Sequence, residues 1–249
     1  MAACAVALPA FSANDPFAGT WKLNQAKSMM KGQTEVIKSL GENKYRFTYG
    51  TTSFDIKADG TDQPAFPGSS MAVTIKDPNT WEVVNKTNGI TTSTGTWVLS
   101  KDGKTISAKM KSNRPDGSET DTNFDLKRIS GSGFAGTWEM AGINSSSPGD
   151  VQISAYGTNG LTISFVSDKV TTNLTMDGKD CVVEGPTVPK GSTTSASRPN
   201  AHTVKMTDKL NGKVTDTEEW KLSADGKSFT LTHHDAGVPK PMIFVYERQ

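Results

Sequence analysis

Cysteine is almost missing from this 249-residue chain: only Cys4 and Cys181 occur. Cys4 lies in a short apolar stretch at the start of the chain. If that stretch is removed, Cys181 stands alone and no internal disulfide can form. In its setting, DCVVEG, Cys181 reads as a small buried hydrophobe. Net charge is nearly absent too, at +1. Residues 14–130 hold 16 Lys+Arg against 13 Asp+Glu, and the rest of the chain 11 against 13. Neither part has the basic footprint of a nucleic-acid binder, so no nucleic-acid partner is expected. No apolar run is long enough to cross a bilayer as a helix, so no transmembrane segment is expected. The usual catalytic signatures are missing as well: there is no G-x-S-x-G elbow, H-E-x-x-H, P-loop or G-x-G-x-x-G. Histidine is limited to three residues, and no metal site and no cofactor are expected.

What the chain does have is a small, apolar beginning, MAACAVALPAFS, followed by Ala13. The run resembles the hydrophobic core and cleavage region of an export signal, although no positive charge precedes it. Residues 1–13 are therefore expected to be a signal remnant, and the protein to be periplasmic or secreted.

FAGTW occurs twice, at Phe17–Trp21 and at Phe134–Trp138, 117 positions apart. The match continues in order. Asp59-Gly60 is followed 118 residues later by Asp177-Gly178, and Trp97 and Gly103 are followed 123 residues later by Trp220 and Gly226. Phe124-x-x-x-Arg128 returns as Phe244-x-x-x-Arg248. A whole unit of about 115 residues is duplicated, which is far longer than a solenoid period. The organisation expected is repeat 1 over 14–129, a flexible Ser-Gly-Ser-Gly linker over 130–133, and repeat 2 over 134–249.

Each unit is rich in short alternating runs separated by turn dipeptides such as Asn88-Gly89, Asp102-Gly103 and Asp116-Gly117. In the first unit nine strands are expected, including 35–40, 44–49, 53–57 and 94–100. Eight or nine antiparallel strands in so short a unit favour closure, because closure removes exposed edges. The fold class expected is all-β, with two tandem antiparallel β-barrels. The residues leave open whether each copy closes alone or both share one larger sheet.

Gly19-Thr20-Trp21 with Arg128, and Gly136-Thr137-Trp138 with Arg248, resemble the calycin signature seen in lipocalins. There a Gly-x-Trp on the first strand closes one barrel end and an Arg on the last strand packs across the ring. The resemblance covers both copies and extends to bacterial secreted proteins with two tandem lipocalin-like repeats and no assigned activity. It implies that Trp21, Arg128, Trp138 and Arg248 are structural signature residues, and that a barrel holds a small apolar ligand. This chain departs from the family in lacking its disulfide and its long C-terminal helix.

Candidate ligand-binding residues are aromatic. Tyr45, Phe47 and Tyr49 share one face of a strand, Phe54 lies on the next strand, and Trp81 on another. Turned inward, such faces line an apolar pocket; turned outward, they pack against the second copy. Candidate catalytic residues are His233, His234 and His202, with Asp235 alongside. His233 and His234 are adjacent on a strand, so at most one of them enters a barrel. The carboxylates Glu218, Glu219 and Asp225 read as solvated surface. The leading expectation is a non-enzymatic carrier of a small hydrophobic molecule. A barrel-pocket hydrolase or isomerase/cyclase using a second-repeat histidine is an alternative, and a structural envelope interaction module is another. Oligomeric state is not legible.

Overall fold

The computed structural model describes residues 15–147 and 149–249, so the signal-like residues lie outside it. Twenty strands form among the described residues. The first ten are β1 (Gly19–Leu23), β2 (Thr34–Gly41), β3 (Lys44–Tyr49), β4 (Thr52–Lys57), β5 (Gln63–Pro64), β6 (Ser69–Asp77), β7 (Thr80–Thr87), β8 (Ile90–Leu99), β9 (Thr105–Asn113) and β10 (Glu119–Ser132). The second ten are β11 (Ala135–Ser145), β12 (Val151–Tyr156), β13 (Gly160–Phe165), β14 (Val170–Leu174), β15 (Asp177–Val182), β16 (Ser192–Asn200), β17 (Thr203–Leu210), β18 (Lys213–Leu222), β19 (Ser228–Asp235) and β20 (Met242–Arg248). The one helical element among the described residues is a single 3-10 turn at Gln25–Lys27.

Alternation sets the facing of the strands. In β9, Ile106, Ala108 and Met110 are buried and the residues between them are exposed. Turn chemistry sets the hairpins. Asn88-Gly89 and Asn211-Gly212 both carry positive φ at both positions, which matches the right-handed twist of the flanking strands. These two turns occupy equivalent places in the two repeats.

The strands build two nearly closed, ten-stranded antiparallel barrels. The sheets do not follow the repeat boundaries. The first barrel runs β4-β3-β2-β11-β10-β9-β8-β7-β6-β5, and the second runs β14-β13-β12-β1-β20-β19-β18-β17-β16-β15. Each repeat hands its FAGTW strand to the other. Strand β1 lies between β12 (Trp21 opposite Val151) and β20 (Trp21 opposite Arg248). Strand β11 lies between β2 (Trp138 opposite Glu35) and β10 (Trp138 opposite Arg128). The cores divide the same way: Phe134 and Trp138 belong to the first barrel's core, Phe17 and Trp21 to the second's.

Two expectations are corrected by this exchange. Residues 130–133 are not a linker: Ser130–Ser132 end β10 paired with β11, and a two-residue turn at Gly133-Phe134, with Gly133 at positive φ, leads directly into β11. The Trp–Arg pairs are crossed as well. The Arg248 guanidinium sits 4.1 Å from the Trp21 ring centroid, and that of Arg128 sits 4.0 Å from Trp138. Trp21 thus meets the arginine at the far end of the chain rather than Arg128. Each unit has ten strands rather than eight or nine, because β5 is a two-residue strand too short to leave a pattern.

The Trp–Arg end of each barrel is closed by the same bonds. Trp21 Nε1 donates to the Phe17 carbonyl at 2.8 Å, and Trp138 Nε1 to that of Phe134 at 3.0 Å. Arg248 donates to the carbonyls of Gly226, Ala18 and Pro16, and Arg128 to those of Gly103, Ala135 and Gly133. The last residue meets the first strand: Gln249 N donates to Thr20 O at 2.9 Å. Between the barrels, Tyr49 Oη donates to Asp235 at 2.8 Å, Arg114 pairs with Asp168 at 3.1 Å, and Met29 bridges Ile243.

The exchange has a direct test. Replacing Trp21 with Ala empties a fully buried site and should cost about 3–5 kcal/mol. Amide protection measured by hydrogen exchange should fall in β12 to β20, the strands of the other repeat. A loss centred on β2 to β4 and β10 would mean that Trp21 serves its own repeat.

Candidate functional site

Each barrel carries an open-mouthed cavity, and the two differ in chemistry. The first barrel holds about 650 Å³, walled by Phe47, Phe54, Trp97, Met71, Met140 and, from the second barrel, Met242. Of the aromatic candidates, Phe47, Tyr49 and Phe54 line this cavity. Trp81 and Tyr45 do not; they pack together in the core, with ring centroids 4.8 Å apart, and Trp81 stacks on Phe134 at 3.8 Å. The second barrel's cavity is smaller, about 380 Å³, and mixes apolar walls such as Phe165 and Leu174 with Asp208, Asp216 and Glu218. Pro189, in the loop after β15, lines both cavities.

The charged residues of the second barrel come from alternation on β17, β18 and β19. Glu218 and Trp220 share the inward face of β18, while Glu219 points outward and pairs with Lys205 and Lys221. Glu218 is therefore not solvated surface. Its Oε2 accepts from Trp220 Nε1 at 2.8 Å, and its Oε1 lies 3.2 Å from His233 Nδ1. His233 Nε2 lies 3.1 Å from Asp235 Oδ1, and Asp216 Oδ1 is 3.8 Å from Nδ1. As the strand period requires, His234 faces out and is exposed. His202 is exposed in the turn between β16 and β17 and is not near His233's partners. Cys181 is half-buried against the second core rather than fully buried.

Burial alone would push the His233 imidazole down. Hydrogen bonds to Asp235 and Glu218, and the charges of both, outweigh it and raise the pKa to about 10. At neutral pH His233 is an imidazolium clamped between carboxylates, which leaves no lone pair for base chemistry. Asp216, Glu218 and His233 each offer a ligand atom within 4.8 Å of the others. A metal ion there would have to displace the imidazolium proton that already balances the carboxylates. Burial also raises the carboxyl of Asp208, which faces Asp216 across the strand pair, while Thr194 donates to it.

In the first barrel the equivalent pairs are neutral. Asn85 stands opposite Ser93 where Asp208 stands opposite Asp216, and Gly95 stands opposite Met110 where Glu218 stands opposite His233. Gly95 has no room for a side chain against Met110 and the Lys109 carbonyl. Consequently Trp97 Nε1, unlike that of Trp220, is buried without a partner. One carboxyl does enter this cavity. Glu35, on the same face of β2 as the buried Ile37, carries an Oε1 sealed from solvent and unpartnered. Burial raises its pKa to about 7. Sequence reasoning passed over Glu35, although its even spacing from Ile37 was the available signal.

The clamp around His233 makes stability depend on pH. Its folded pKa lies above the ordinary 6.5, so its contribution is complete below pH 6.5 and fades as pH rises toward 10. His233→Gln should lower unfolding free energy by about 3 kcal/mol at pH 6, and by clearly less at pH 10. Urea titrations at both pH values check this; an equal loss at both would mean that His233 is neutral in the fold.

Comparison with protein-family models, with curated proteins and with solved structures finds no match for this chain.

Proposed function

We propose that the protein is a lipocalin-like binding or carrier protein whose first barrel holds a small, mainly apolar molecule. The observation that carries this reading is the first barrel's cavity, about 650 Å³ and walled by aromatic and methionine side chains. That volume lies within the range of about 300–1,000 Å³ typical of small-molecule sites. Hiding about 200 Å² of apolar ligand surface would contribute roughly 5 kcal/mol before the entropy of association is subtracted. Methionines suit such a wall because their unbranched chains adapt to ligand shape. The lipocalin likeness rests on the Gly-x-Trp strands and the arginines stacked on them, and the periplasmic or secreted setting on the apolar residues at 1–13.

The enzyme alternative has less support. Its best histidine is held protonated, and the other two face solvent.

N-Phenyl-1-naphthylamine, a neutral apolar dye that brightens out of water, tests the reading. It should bind saturably with one site, and Ala65→Trp, which narrows the cavity, should weaken it about tenfold or more with the β-sheet circular dichroism unchanged. Absence of saturable binding, or binding indifferent to Ala65→Trp, would overturn the proposal.

A further inference from the structure

The first barrel's cavity is apolar but not featureless, and its polar groups narrow the ligand class. Most of them are already engaged. Tyr49 donates its hydroxyl to Asp235. Asn85 donates its amide to Ser93 at 3.0 Å. Lys86 is ion-paired with Asp62. Among its fully buried polar atoms, two have no partner: the acceptor Glu35 Oε1 and the donor Trp97 Nε1. A carboxyl on an apolar wall with one oxygen sealed and unpartnered is costly to ionise, since water solvates it poorly. An arriving cation relieves that cost and gains a charge-assisted hydrogen bond.

Resting on the reading of this cavity as a ligand site, we propose that its ligand is an apolar molecule bearing a basic amine, with the ammonium group seated on Glu35. The hydrophobic body then lies against Phe47, Phe54 and the methionines. A hydrogen-bond acceptor on the ligand would meet Trp97 Nε1, filling the role that the Glu218 carboxylate plays for Trp220 in the second barrel. A carboxylate ligand is disfavoured because its charge would face Glu35 in a medium that screens little.

The groups facing Glu35 from its neighbours leave it as the proton-linked anchor. On β3 the opposite residue is Tyr49, whose phenol is pushed up by burial and by its bond to Asp235, and which therefore stays neutral. On β11 it is the uncharged Trp138. The next residue of β11, Glu139, is paired with Lys240 at 2.9 Å outside the cavity. Across the cavity, Lys86 of β7 is held by Asp62. Behind Tyr49, Asp235 is balanced by His233. Amine binding should therefore strengthen from pH 5 to pH 8 as Glu35 ionises.

The experiment uses three probes of one chain length, decylamine, decanol and decanoate, titrated calorimetrically into the whole protein at pH 7.5. Decylammonium should bind about tenfold or more tighter than the other two. Glu35→Gln, which keeps the shape and removes the charge, should cancel that advantage and leave decanol within about threefold. Equal affinity for amine and alcohol, tighter binding of decanoate, or an amine indifferent to Glu35→Gln would each overturn the assignment while leaving the cavity a binding site. Failure of all three probes to bind would overturn the cavity reading itself. The wild-type comparison decides the matter even if the variant does not fold.

Discussion

Everything in this molecule depends on where two arginine–tryptophan stacks are made. Each guanidinium covers an indole ring and at the same time satisfies carbonyls at the start of the FAGTW strand and in a neighbouring turn. A cation so placed fastens the FAGTW strand to the strand paired beside it, gains the attraction of the ring face, and removes orphan acceptors from a closed end. Because both stacks are made across repeats, the fold is one interlocked object built from two similar halves. The connections from β1 to β2 and from β11 to β12 both pass from one barrel to the other, so each barrel is completed by a strand delivered from its neighbour.

Duplication has let the two interiors diverge while the closed ends stayed alike. The Trp–Arg ends repeat bond for bond. Further along the barrels, Asn85, Ser93, Gly95 and Met110 in the first stand where Asp208, Asp216, Glu218 and His233 stand in the second. One interior is apolar and roomy, with two unpartnered polar atoms. The other is smaller and braced by an internal ion cluster. A clamped imidazolium with carboxylates on both sides is a rigid arrangement, since removing either sign leaves the other uncompensated. The roomier barrel spends no such groups on its own stability.

Much of this architecture was legible because short-range rules governed it. Phe124 and Leu126 alternate with Asp125 and Lys127, Asn88-Gly89 dictates a tight hairpin, and His233 and His234 part to opposite faces as neighbours on a strand must. The exchange was not legible for a physical reason. Phe17–Trp21 and Phe134–Trp138 are identical, so either strand fits either slot, and local chemistry carries no address. Chain connectivity and the tight Gly133-Phe134 turn decide it. Glu35 and Glu218 were missed because a carboxylate on a strand ordinarily faces water. Their parity with Ile37 and Trp220 pointed inward, against that ordinary preference. Aromatic content alone did not separate Phe47 and Phe54, on the cavity wall, from Trp81 and Tyr45, which fill the core.

The antiparallel pairing of β1 with β20 gives the second barrel a mechanical direction. Strands β1 and β20 run antiparallel with Thr20 beside Gln249. Tension applied between Gly19 and Gln249 therefore loads their hydrogen bonds one at a time, as a zipper is loaded, rather than all together in shear. The first event under such a load is the peeling of Trp21 away from Arg248. That opens the second barrel at its sealed end, while the first barrel's indole stays held within the hairpin of β10 and β11.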